Sequence, residues 1–198
     1  MHSETRPEAP ELEMSPPGTR AKFIAVSAYL ALVILGILSL RAPVLVHFLP
    51  VIMVALPFFL RRKVHIGFSR ADIALGVAAT LLCLVPFALA GLLTGHAIHL
   101  PGITTAGYQL LAVAFPEETF FRGYLQEALG NDRKALVITS LLFAAAHLPR
   151  AFVAAEWHLV LTFLPSLVMG WLYWRTRNIV PAVIFHFTAN MVFTALGG

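Results

Sequence analysis

Charge is what this 198-residue chain has least of: Asp, Glu, Lys and Arg together make up 12% of it, half of the roughly 25% found in water-soluble domains. Hydrophobic residues account for 59% and mean hydropathy is +0.81. A compact domain of this size has too much exterior to hide so much apolar surface, so lipid must cover it. Cysteine is nearly absent. The single one, Cys83, excludes an intrachain disulfide and a thiolate metal cluster. Alternation at period two is missing, which argues against a transmembrane barrel and leaves helices to satisfy the backbone polar groups in lipid. A G-x-S-x-G elbow, an H-E-x-x-H pair and an activated cysteine are missing too, so the common covalent and zincin-type catalytic signatures do not apply.

What is present is a series of apolar runs. Residues 1–20 hold four of the 13 prolines, four glutamates and no aromatic residue, a mixture that cannot bury enough apolar area to offset chain entropy and predicts a disordered N-terminal tail. The remainder, 21–198, predicts one helical membrane domain. Its runs fall at roughly 23–40, 44–60, 71–93, 104–129, 134–148, 157–174 and 179–196, and most have the about 17–25 residues that a membrane span needs. The fifth is short. The expected class is all-α, a polytopic membrane protein with about seven transmembrane helices. The first run is long for a signal-peptide core and no A-x-A site follows it, so it is expected to be retained.

The basic residues set an orientation. Arg6, Arg20 and Lys22, then Arg61, Arg62, Lys63 and Arg70, then Arg133 and Lys134, then Arg175 and Arg177 fall on alternate connections, 11 of the 14 Lys and Arg. The intervening connections hold Arg41 and Arg150, and Arg122 lies inside a run. Cytoplasmic loops carry such an excess, so the N-terminus is expected inside and the C-terminus outside. Membrane orientation thereby explains the pI near 9.6 without a nucleic-acid partner.

Ionisable groups inside apolar runs are costly at bilayer depth and mark functional positions. The fourth run carries Phe115-Pro116-Glu117-Glu118-Thr119-Phe120-Phe121-Arg122-Gly123. Neighbouring helical positions diverge by about 100°, so the two glutamates are expected in different environments. Glu118 and Arg122, at i,i+4, predict a buried ion pair, which leaves Glu117 to project into a cavity as a proton acceptor. The fifth run ends Phe143-Ala144-Ala145-Ala146-His147, and the seventh holds His186-Phe187-Thr188-Ala189-Asn190. At about 1.5 Å per residue from the cytoplasmic helix ends, Glu117, His147, His186 and Asn190 reach comparable depths, so their side chains can meet. Together they suit hydrolysis: water polarised between Glu117 and His147, Glu117 as general base, and His186 with Asn190 donating to an oxyanion. The other histidines, the methionines and the tryptophans at run ends are expected in connections, packing and aromatic belts.

Taken in order, Glu117-Glu118-x-x-x-Arg122 with Gly123, Phe143-x-x-x-His147 and His186-x-x-x-Asn190 resemble the three motifs of the CAAX-protease and bacteriocin-processing (CPBP, or Abi) family of intramembrane endopeptidases. The resemblance covers roughly 104–196. It implies a glutamic-type membrane protease with Glu117, His147, His186 and Asn190 as catalytic residues, Glu118, Arg122 and Phe143 in structural support, and no cofactor. It further implies a membrane-anchored protein or peptide as substrate, in contact with membrane lipid. Eukaryotic relatives cut prenylated CAAX proteins, whereas bacterial ones are linked to bacteriocin immunity or to processing of C-terminal sorting tails. The chain is short for the family, and Pro116 directly precedes the glutamate pair. Both features fit a bacterial plasma-membrane protein acting in tail processing or immunity better than a prenyl-protein protease. Three other readings stay open: a zinc hydrolase with His147, His186 and Glu117 as ligands, a non-enzymatic membrane scaffold or immunity partner, and a transporter, which the lack of an internal repeat weakens. Oligomeric state is not legible.

Overall fold

A computed structural model describes residues 18–60 and 62–197. The expected tail lies outside these residues except for its last three, of which Thr19 and Arg20 already belong to the first helix. The described residues are 83% helical, and no strand occurs among them. In order come α1 (Thr19–Ser39), a 3-10 turn leading into α2 (Phe48–Phe59), α3 (Arg70–Leu93), a composite helix α4 (103–129), α5 (Arg133–Ala154), a second 3-10 turn (Trp157–Thr162) leading into α6 (Phe163–Thr176), and α7 (Ile179–Ala195). Three of these, α1, α3 and α5, are long and apolar enough to cross a membrane, and Pro43–Phe59 and Ile179–Ala195 are shorter apolar helices. Large apolar side chains stand outward, with Phe59 at 83% and Leu93 at 88% exposure. In water such a surface would aggregate. The protein is an integral membrane protein.

The fifth run is longer than expected. Its helix passes through Pro149 and continues to Ala154, 22 residues in all. A proline inside a helix removes one backbone hydrogen bond without ending the helix when packing supports it. The fourth run is the least regular: Gln109–Ala114 and Thr119–Gln126 are π-helical, on either side of an α-helical turn at Phe115–Glu118. Pro116 accounts for the first of these. Its ring crowds the carbonyl one turn earlier and it has no N–H to offer, and widening the preceding turn relieves both problems.

Side-chain contacts fix how the helices run. A methyl group at Gly76 would lie 2.9 Å from the Cα of Pro181, and one at Gly91 the same distance from Leu196, so α3 and α7 lie parallel at close quarters. Gln109 meets Asn190 and Glu118 meets His186, so α4 and α7 are antiparallel. Arg122 meets Ser166 and Gln126 meets Gly170, so α4 and α6 are parallel. The 62–70, 129–133 and 176–178 connections therefore gather at one end of the bundle. The 94–102 and 155–162 connections and the end of α7 gather at the other, where His99 donates its N–H to the Ala195 carbonyl.

Candidate active site

At the centre of the bundle a chain of polar contacts crosses three helices. Arg122 and Glu118 are both fully buried, and the guanidinium Nε donates to Glu118 Oε2 at 3.1 Å. Arg122 Nη2 donates to Ser166 Oγ on α6 at 2.7 Å, and the guanidinium also lies 5.4 Å from the centre of the Phe143 ring. The other Glu118 oxygen, Oε1, is 2.9 Å from His186 Nδ1 on α7. A carboxylate paired with an arginine accepts hydrogen bonds, so His186 Nδ1 donates here and only its Nε2 is free. A buried ion pair of this kind destabilises the fold strongly if either partner is removed.

His186 Nε2 lies 3.8 Å from Glu117 Oε2, beyond hydrogen-bond length. That oxygen is buried with no hydrogen-bond partner in the protein. On α5, His147 Nδ1 lies 2.8 Å from the Phe143 carbonyl oxygen. A carbonyl only accepts, so Nδ1 carries the proton and the neutral ring keeps an acceptor at Nε2. The Phe143 ring is packed beside both imidazoles, tilted 39° to His147 at 4.8 Å and edge-on to His186 at 5.9 Å. Asn190 Nδ2 donates to Gln109 Oε1 at 2.9 Å, which holds its carboxamide in one orientation.

One cavity of about 590 Å³ joins these groups, with Glu117, Phe143, His147, His186 and Asn190 all on its wall. The residues singled out from the sequence are thus brought together from three helices. Glu118 and Arg122 form the expected clamp, and Glu117 faces the cavity. The His186 ring stands 3.8 Å from Glu117, and His147, expected to share a water with Glu117, lies on the same cavity wall. One detail differs from expectation. The two glutamates share a partner, because the His186 ring offers one nitrogen to each. His158, Met53 and Met169, expected as interface or packing residues, line the cavity as well.

Gln109, Ser166 and the rim pair Arg150–Glu156 were not anticipated. Gln109 left a signal, since 109, 113 and 117 follow a four-residue spacing and all three line the cavity. Ser166 left none, a serine in an apolar run being ordinary in membrane helices. The zinc set meets a poor fit: among the described residues no three His, Cys, Asp or Glu side chains converge on a metal position.

Fold and site together define a polytopic helical membrane protein with a carboxylate–imidazole cavity buried in its bundle. A family model described as type II CAAX prenyl endopeptidase Rce1-like matches residues 99–192, the stretch that carries all three motifs. Over this segment, a little under half of the chain, the protein is similar to that family of intramembrane endopeptidases. It is also similar to the UPF0177 protein YxdF of Lactococcus lactis subsp. lactis (strain IL1403), 28% identical over 81 residues. Those residues make up 41% of this chain and 43% of the relative, so the match spans less than half of that protein's length. No solved structure matches.

Proposed function

We propose that this chain is a glutamic-type intramembrane endopeptidase of a bacterial plasma membrane, with its N-terminus cytoplasmic and its C-terminus outside. It hydrolyses a peptide bond in a membrane-anchored protein, as in the processing of a C-terminal tail. One observation carries the reading: a single cavity is lined by Glu117, His147, His186 and Asn190, a base, two imidazoles and an amide, with Glu117 Oε2 lacking a partner.

Water bound between Glu117 Oε2 and the acceptor nitrogen of His147 is oriented with its lone pair toward a substrate carbonyl. As its oxygen attacks the carbonyl carbon, Glu117 takes one proton, a general-base role worth about 10²–10⁴ in rate. The negative charge moves to the former carbonyl oxygen, where Asn190 Nδ2 donates a hydrogen bond. His186 donates from Nε2 as well once that nitrogen is protonated, and Glu118, which accepts from its Nδ1, stabilises the resulting imidazolium. Collapse of the intermediate breaks the C–N bond, and the proton held by Glu117 passes to the leaving amine.

No metal enters these steps. The partners are lipid and a membrane-anchored peptide or protein, not nucleic acid. To test the reading, membrane proteomes of cells carrying the native chain or Glu117→Ala are compared. One segment left uncleaved in the variant, with equal protein in the membrane, is the expected result. Identical proteomes would support a scaffold instead, and stoichiometric zinc in the purified protein, lost together with activity, would support the metalloprotease.

A further inference from the structure

The bundle is closed at one end and open at the other. Below the motif helix, toward the 62–70, 129–133 and 176–178 connections, Leu125, Leu172 and Ile179 are wholly buried and Tyr124 and Tyr173 nearly so. Gln126 adds hydrogen bonds to Asn131 and Gly170 across this layer. Gly123 is so tightly covered by Val64 that a methyl group there would lie 2.6 Å from it. Nothing the size of a peptide passes through this floor. The cavity instead runs toward the opposite end, where Gln109, Arg150, Glu156, His158, Thr162 and Thr194 belong to its wall. Such a polar margin suits water better than acyl chains.

The two ends also differ in charge. Arg62, Lys63, Arg70, Arg133, Lys134, Arg175 and Arg177 lie at the closed end. At the open end are Arg41 and Arg150, the latter neutralised by a two-point contact with Glu156 at 2.9 and 3.1 Å. Cytoplasmic connections are the ones enriched in Lys and Arg, which makes the closed floor cytoplasmic.

We infer that the cavity opens on the extracytoplasmic side of the membrane, so that the substrate class is a peptide segment displayed outside the cytoplasm. This rests on the proteolytic reading of the same cavity and adds its direction. Glu117 lies eight residues below Gln109 and His186 seven below Phe193, about 12 and 10 Å along their helices. An extended strand covers that depth in three to four residues, at about 3.3 Å each. The scissile bond is therefore about that far beyond the point where the segment crosses the rim, and the segment enters unwound.

The test uses the full chain with its one cysteine removed (Cys83→Ala), carrying either Thr162→Cys at the rim or Lys134→Cys at the closed end, and a membrane-impermeant sulfonated maleimide. Thr162→Cys should be labelled in intact cells stripped of their wall, and Lys134→Cys only in inverted membrane vesicles. Labelling of Thr162→Cys in inverted vesicles alone, or equally from both sides, overturns the inference. Labelling does not need activity, so it reports the direction of the cavity whether or not the proteome comparison finds a substrate.

Discussion

The two ends of the bundle are built on opposite plans. At the basic end the starts of α3, α5 and α7 are each capped by a side chain, Ser69, Asp132 and Asn178. At the cavity end the starts of α2, α4 and α6 have no such cap. Asn178 is wholly buried; it bonds both backbone groups of Gly67 and the carboxylate of Asp72 while capping α7, and thereby ties two connections together. Glu127 accepts from Tyr173 and pairs with Arg177 in the same layer. The cavity end has an exposed ion pair and an orphaned carboxylate oxygen in place of this network. Polar groups at the basic end thus tie connections together, whereas at the cavity end a buried carboxylate oxygen borders open space.

Substitutions can break this contrast, beginning where both plans meet. Arg122→Ala strands the buried Glu118 carboxylate and should cost about 3–5 kcal/mol of stability, read as a lower unfolding temperature in detergent together with lost cleavage. Replacing both members (Glu118→Leu with Arg122→Leu) should restore much of that stability but no activity, because His186 Nδ1 then has no acceptor. Glu117→Gln keeps the shape of the cavity end and removes the carboxylate proposed as its base. Cleavage should fall by about 10²–10⁴ at unchanged unfolding temperature; equal loss of stability would mean that Glu117 is structural. Asn178→Ala strikes the basic end and should lower stability by about 1–3 kcal/mol, with turnover per folded molecule unchanged. Arg150→Gln should be mildest: an exposed pair contributes about 0–1 kcal/mol, and thermal unfolding should barely register its loss.

Much of this organisation is legible in the sequence because membranes impose a simple code. The apolar runs match the helices to within a few residues, since each must bury its backbone hydrogen bonds internally. Glu117, His147, His186 and Asn190 stood out because ionisable and amide groups are costly at that depth. The true length of α5 was hidden by Pro149, which ordinarily signals a boundary and is here carried through. The approach of His186 to Glu117 is hidden for a different reason: depth along an axis is readable from residue count, but rotation about it is not once turns widen to π geometry. Glu118 was assigned one partner and has two, because the His186 contact crosses 68 positions of sequence and depends on how α4 and α7 face each other.

The widened turns of α4 make length, more than composition, the sensitive property of that helix. A wide turn stores a spare residue. Deleting one position within it lets the turn tighten to α-helical geometry with little change of phase, whereas inserting one after Gln109 would leave the run as apolar as before, yet swing everything on the rim side by about 100° relative to Glu117. The Gln109 amide would then point away from Asn190, and the mouth of the cavity would be out of phase with its base. Exchanges of one apolar side chain for another along this helix disturb packing locally, whereas a single-residue insertion misaligns the whole approach to Glu117.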